Sequence, residues 1–201
     1  MGGGTFYVIS APSGTGKTSI LKRVLGEFPE TKFSVSYTTR SPRPNEKEGV
    51  EYHFVSRDQF QRMIKEGAFA EWTELLGHYY GTSKAFLEAS LNEGIDVILD
   101  IDTQGADQIQ KGYHDGVYIF ILPPEIGDLK KRLTRRGSET QEVIDLRVRS
   151  GSKEIQKIGS YDYVVINDRI DAAVERIKAI ILAERCRRDR VLRQLEDTVT
   201  S

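Results

Sequence analysis

The chain has 201 residues, with 29 Lys and Arg against 30 Asp and Glu and a hydrophobic fraction of 38%. That size suits one domain, or a core with one insertion, in an ordinary globular protein. A formal charge of -1 provides no global field for nucleic acid or membrane, so any anion site has to be built locally. The single Cys186 excludes an intramolecular disulfide and a cysteine-rich metal site, and His53, His78 and His114 share no zinc spacing. No apolar run approaches the roughly 20 residues of a membrane span, and charges from Lys17 onward break a signal peptide. The expectation is a cytoplasmic protein with no nucleic-acid or membrane partner.

In chain order, Gly2–Gly4 read as a floppy lead-in to "TFYVIS" (5–10), a buried-strand pattern, and a helix is predicted over 17–26. Residues 34–82 hold little long apolar sequence but much Arg, Tyr, Gly and Thr. Within them "EYHFVS" alternates like an exposed strand, and "GHYYGT" reads as a turn between short strands. Ser56 and Gln59 form a capping box for a helix that Gly67 ends, and a further helix runs over 84–93, from Ser83 to Gly94. "DVILDID" (96–102) and "GVYIFIL" (116–122) read as buried strands. A helix follows Pro124, with Ile126, Leu129 and Leu133 on one stripe. Residues 127–153 are dense in Arg and Lys, with a break at Gly137, which suits a mobile lid.

A late strand is predicted in "YDYVVIND" (161–168), then a helix from near Asp171 that turns Val174, Ile177 and Ile181 inward. Its charged end, Glu184 to Asp197, is read as a continuation that protrudes or meets a partner subunit, with Cys186 inert on it. Strands alternating with helices imply an α/β fold, a parallel sheet flanked by helices. The expected organisation is a core of 1–33, 84–126 and 154–201, an inserted, mostly β substrate subdomain at 34–83, and a helical lid at 127–153.

"SAPSGTGKTS" (10–19) carries the first chemistry. A strand runs into it and a helix follows Lys17, the context that a phosphate-binding P-loop requires. In such a loop successive backbone N–H groups converge on an anion at a helix N-terminus. Ala11, Pro12, Ser13, Gly14, Thr15, Gly16, Lys17 and Thr18 form the expected nucleotide cradle. Gly14 and Gly16 let the backbone approach, Lys17 meets the β- and γ-phosphates, and the Thr18 hydroxyl suits Mg²⁺. Ala11 stands where the motif has Gly. Were φ positive there, Ala would cost on the order of 1 kcal/mol, which many charge-assisted bonds to phosphate outweigh. No base-reading or switch elements of a GTPase are present, and motor or repair ATPases are usually larger. An Arg-rich insertion and lid suggest phosphoryl transfer to a second small substrate.

"SVSYTTRSPRPNEKEGVEYHFV" (34–55), "FAEWTELLGHYYGTS" (69–83) and "ILDIDTQGA" (98–106) strongly resemble guanylate kinase, from about residue 5 to residue 185. The resemblance implies transfer of the ATP γ-phosphoryl to GMP, with dGMP as a further substrate and Mg²⁺ as cofactor. It assigns Arg40, Arg43, Tyr52 and Tyr80 to the GMP phosphate, a dianion that suits guanidinium forks and hydroxyls. It makes Glu71 the carboxylate that accepts the two adjacent donors of guanine, N1–H and the exocyclic amino group. Ser36, Thr82 and Asp100 match the remaining polar contacts. Asp100 and Asp102 end an apolar strand where a P-loop fold places its metal-side carboxylate. Asp102 is taken for that role, although alternation alone leaves either open, with capping of the next helix as the structural alternative.

Arg132 and Arg136, four apart on one helix face, and Arg147 match the family's lid arginines and complete a catalytic set with Lys17. Arg149 is a further candidate. Asn167 in "VVIND" matches a residue at the adenine end of the ATP site. Two other readings are a non-catalytic binding module of the same fold and a kinase for another small phosphorylated substrate. A charged C-terminal helix is compatible with a homodimer.

Overall fold

The computed structural model describes residues 3–125, 127, 134 and 141–199, with the side chains at 143, 144, 147, 193, 194 and 196–199 excepted. One sheet has five strands: β1 (Phe6–Ser10), β2 (Lys32–Ser34), β7 (Val97–Asp100), β8 (Gly116–Leu122) and β9 (Tyr163–Ile166), in the order β2-β7-β1-β8-β9. β2 pairs with β7, and β8 with β9, in parallel. All of β1 and the apolar residues Val97–Leu99 and Val117–Ile121 are buried, as continuous apolar runs demand of strands covered on both faces. A second sheet joins β3 (Tyr37–Thr38), β4 (His53–Phe54), β5 (Phe69–Leu75) and β6 (His78–Ser83) in the order β4-β3-β6-β5. The mixed α/β class, with a parallel core flanked by helices, is as expected.

The chain divides into two compact units, Met1–Tyr7 with Glu30–Gly116, and Val8–Pro29 with Val117–Ser201. The first contains the second sheet, α2 (Arg57–Lys65), α3 (Lys84–Asn92) and α4 (Thr103–Gly112). Ser56 and Ser83 cap α2 and α3 by accepting the backbone N–H groups of Gln59 and Phe86. α2 seats Phe60, which is fully buried, against the sheet; its ring stacks on Phe69 at 4.4 Å and on Tyr79 at 5.3 Å. The second unit contains α1 (Lys17–Glu27), α5 (Gln141–Ile155), α6 (Ile170–Arg185) and α7 (Arg188–Val199). α1 packs on α6, and Arg23 pairs with Asp171. Val174, Ile177 and Ile181 are buried, as their spacing predicted.

Four expectations need correction. "GHYYGT" is mostly β6; the turn lies one step earlier, at Leu76 and Gly77, both in the left-handed region (φ 53° and 79°). "EYHFVS" contributes only the two-residue β4, because Glu48 accepts from the Phe54 N–H and contacts His53 in a local loop. Gly4 is no floppy lead-in: a Cβ there would stand 3.0 Å from the Ile95 nitrogen. The charged C-terminal helix is not continuous, since α6 ends at an exposed Cys186 and α7 starts anew. The stripe Ile126, Leu129 and Leu133 and the break at Gly137 lie outside the described residues.

Candidate active site

In the second unit the phosphate loop joins the end of β1 to α1. Gly14 and Gly16 have φ of 91° and 96°, a conformation in which an L side chain is strained. Ala11 carries no such burden: among the described residues the only non-glycine with positive φ is Leu76. The alanine therefore carries no penalty from a left-handed backbone conformation. Thr15 is fully buried; its N–H and hydroxyl both donate to the Pro12 carbonyl, at 3.1 and 2.7 Å. Gly16 is the N-cap of α1 and provides no side-chain cap, so the first N–H groups of that helix keep their donors for a ligand. The Thr18 hydroxyl is exposed and takes no hydrogen-bond partner among the described residues.

Asn167, which the resemblance sends to the adenine end, is buried, and its amide Nδ2 donates to the Thr15 carbonyl at 2.6 Å.

In the first unit Glu71 stands on β5 opposite Thr82 on β6, where a register shift between Phe69 and Glu71 re-aims the strand. Only 4% of Glu71 is exposed, and the Thr82 hydroxyl donates to its Oε1 at 2.6 Å. Desolvation pushes the Glu71 carboxyl up to about 7, and the nearby charge of Asp102 adds to the rise, against the Thr82 bond that lowers it. Among the described residues only Thr82 donates to this buried carboxylate and no cation pairs with it, which leaves acceptor capacity to spare. Gly105, in the first turn of α4, leaves the room it needs: a Cβ there would collide with Glu71 Oε2 and stand 3.0 Å from its carboxyl carbon.

α4 is held by Asp102, whose Oδ1 accepts the N–H groups of Gln104 and Gly105, each at 2.8 Å, while Oδ2 accepts the Thr73 hydroxyl at 3.2 Å. Asp102 is thus the N-cap of α4 and lies beyond the end of β7, so alternation along one strand does not relate it to Asp100. Gln108 bonds both backbone groups of Trp72, which locks β5 to α4.

The phosphate-gripping candidates of the first unit also assemble. Arg40 lies 5.3 Å from the centre of the Tyr52 ring, and the Tyr52 and Tyr80 rings are 5.9 Å apart. Burial pushes the Tyr52 phenol up to about 12, with Asp100 and Tyr80 contributing, so Asp100 belongs to the same cluster and Tyr52 stays a donor. Glu46, which sequence reasoning missed, holds the arginines: it makes two bonds of 2.9 Å to Arg40, accepts the Arg43 N–H at 2.8 Å, and lies 3.9 Å from the Arg43 guanidinium. Burial alone would raise Glu46, but those two arginines outweigh it and hold the carboxyl below its usual range. Its signal was the spacing in "RSPRPNE", where Glu46 follows Arg43 by three residues. Ser36 is buried, and its carbonyl accepts the His53 N–H at 2.9 Å.

Arg132 and Arg136 lie outside the described residues, as does the side chain of Arg147, whose backbone belongs to α5. Arg149 donates to the carbonyl of Asp145 within that helix. Among the described residues no group of three or more His, Cys, Asp or Glu could hold a metal ion by itself, and no helix is long and apolar enough to cross a membrane.

Comparison with known proteins agrees with this arrangement. The family model described as guanylate kinase matches residues 3–184. The guanylate kinase of Geobacter sulfurreducens is 50% identical over 189 residues, 94% of this chain and 93% of that protein. That of Desulfitobacterium hafniense is 45% identical over 184 residues, 92% of each. The crystal structure of guanylate kinase from Anaplasma phagocytophilum superposes with a TM-score of 0.76 at 33% identity, covering 97% of this chain and 94% of that one. With a glycine-lined phosphate loop in one unit and a buried acidic pocket in the other, the chain belongs to the guanylate kinase family.

Proposed function

We infer that the chain is an ATP:GMP phosphotransferase, which moves the γ-phosphoryl of ATP to GMP and releases ADP and GDP. The observation that supports this most strongly is the buried Glu71, held by Thr82 and given room by Gly105. An ionised carboxylate accepts from guanine N1–H and the 2-amino group together, whereas adenine presents a lone pair at N1 and is repelled. Ser36, Thr82 and Asp100 line the base, and Arg40, Arg43, Tyr52 and Tyr80 take the phosphate, with Glu46 fixing the two guanidinium groups. dGMP is accepted as well, since none of these contacts is assigned to the ribose 2′-hydroxyl.

The residues of the loop, Ala11 through Thr18, hold the triphosphate of ATP, with Lys17 on its terminal phosphates. An oxygen of the GMP phosphate attacks the γ-phosphorus. The bond to the β-γ bridging oxygen breaks, and ADP leaves with that electron pair. No general base is required, because the attacking oxygen is already ionised. Lys17, Arg132, Arg136 and Arg147 neutralise the charge that spreads over the moving group, the last three from the segment 127–153 acting as a lid. Catalysis is then positioning and charge stabilisation, with water excluded.

Of the two residues assigned to Mg²⁺, Thr18 offers a hydroxyl with no hydrogen-bond partner among the described residues, and Asp102 offers a carboxylate, both oxygen donors of the kind that ion takes. Bound, it would neutralise phosphate charge. Asp102 already accepts three hydrogen bonds, so in that role it would act mainly through its charge. A substrate pair of free nucleotides suits a cytoplasmic enzyme, and 34–83 serves as the GMP-binding subdomain. A coupled ADP-release assay with GMP, dGMP, AMP and UMP tests the assignment. GMP and dGMP should turn over, with AMP slower by about 10² or more; a preference for AMP would overturn it.

A further inference from the structure

We propose that Asn167 is a positioning residue for the phosphate loop: its amide ties the loop by the Thr15 carbonyl, and this brace sets the affinity for the polyphosphate itself. The inference rests on the reading of the loop as the ATP site. It differs from an adenine contact, which the resemblance to the family implied.

The Thr15 carbonyl can only accept, so the amide atom facing it at 2.6 Å is Nδ2, and the orientation of the side chain is fixed. The two residues are 152 apart in sequence. Thr15 directs its own N–H and hydroxyl onto the Pro12 carbonyl. Two local ties and one distant tie therefore bind the crown of the loop. Asn167 is itself anchored: its N–H donates to the Leu122 carbonyl at 2.7 Å, at the end of β8. The next residue, Asp168, is paired with Arg176 at 2.8 Å and accepts the Arg169 N–H. Nδ2 also fills the space beside Gly16, where a Cβ would stand 3.0 Å away, so the amide closes on the glycine whose φ of 96° shapes the cradle. The side-chain oxygen of Asn167 has no hydrogen-bond partner among the described residues.

The physical consequence is pre-organisation. A loop that aims N–H groups at an anion through two left-handed glycines loses less freedom on binding when it is already tied. Removing the tie also takes away a hydrogen bond that the carbonyl of the buried Thr15 accepts. Such an effect reaches every ligand that carries the phosphates, whatever base it bears.

Calorimetric titrations of inorganic tripolyphosphate and of ATP into the full chain separate the two roles. Asn167→Ala should weaken both ligands by the same factor, roughly ten-fold, and leave GMP binding unchanged. Asn167→Asp, which places an oxygen against the Thr15 carbonyl, should weaken both further. Retained GMP binding certifies the fold, and Asn167→Ser, which keeps a donor, replaces the alanine variant should that one not fold; it should lose less than the aspartate. Tripolyphosphate binding that stays at the wild-type level while ATP weakens would overturn the proposal in favour of a base contact, as would tight ATP binding by Asn167→Asp. A wild-type chain that binds neither ligand would instead overturn the reading of the loop, and this inference with it.

Discussion

The phosphate loop and the proposed guanine pocket would recognise their ligands by opposite means. The loop is built from backbone: its donors are N–H groups at the start of α1, aimed by Gly14 and Gly16 at positive φ. The pocket is built from side chains: a buried carboxylate, a threonine hydroxyl, and an absence of side chain at Gly105. A backbone site tolerates side-chain changes that keep the dihedral angles, which is why Ala11 is harmless. A side-chain site is sensitive to single atoms and to pH. The contrast gives each region its own way to fail.

The largest expected effect is in the loop. Lys17→Ala removes a charge that no backbone group replaces, and turnover should fall by about 10²–10⁴. Steady-state kinetics at saturating GMP measures it; activity near wild type would remove Lys17 from the site.

In the pocket, Gly105→Ala places a methyl group where the Glu71 carboxylate sits. The carboxylate must shift, so kcat/KM for GMP should fall by on the order of ten-fold while KM for ATP stays constant. An equal loss for both substrates would mean a general packing defect instead.

The pocket alone should also respond to pH. Burial raises Glu71 to about 7 from an ordinary 4.5. Between those values the folded chain keeps a proton there that the unfolded chain has lost, so this group's contribution to stability declines as pH rises through the window. GMP capture runs the other way, because only the ionised form accepts both guanine donors. Below about pH 7, kcat/KM for GMP should fall toward ten-fold per unit. The GMP phosphate ionises near pH 6 as well, and Glu71→Gln, which lacks the carboxyl but not that phosphate, isolates the enzyme's share. An identical acid limb in both proteins would contradict the assignment.

The smallest effect lies outside both regions. Leu76 sits at the tip of the β5–β6 turn at φ 53°, a conformation that costs a leucine about 1 kcal/mol. Leu76→Asn should raise Tm by about 2–4 °C and leave activity unchanged, as thermal unfolding and the same assay would report.

This contrast also explains what could be read from the sequence. In the parallel sheet β1, β7 and β8 were legible because fully buried strands are continuous apolar runs, and β9 was found although Val164 and Ile166 are exposed; the three-residue β2 was missed. α6 was legible because Val174, Ile177 and Ile181 recur at helical spacing. The second sheet was legible in kind but not in register. Its strands are two to seven residues long, and a leucine, not a glycine or asparagine, opens the tight turn. Glu71, Arg40 and Tyr52 were found by resemblance to the family. Glu46 and Gly105 were not, since an ion pair across a loop and an empty volume leave no periodic trace. Asn167 was found, but its hydrogen bond to a carbonyl 152 residues away is a property of the fold alone.

Whether a buried acid selects the purine is tested most directly by calorimetric titration of GMP and AMP into the wild-type chain and into Glu71→Gln at pH 8. The wild type should favour GMP by about 10² or more. The glutamine, with one donor and one acceptor, should lose most of that preference by weakening GMP. A variant that discriminates as well as the wild type would show that the base is read elsewhere.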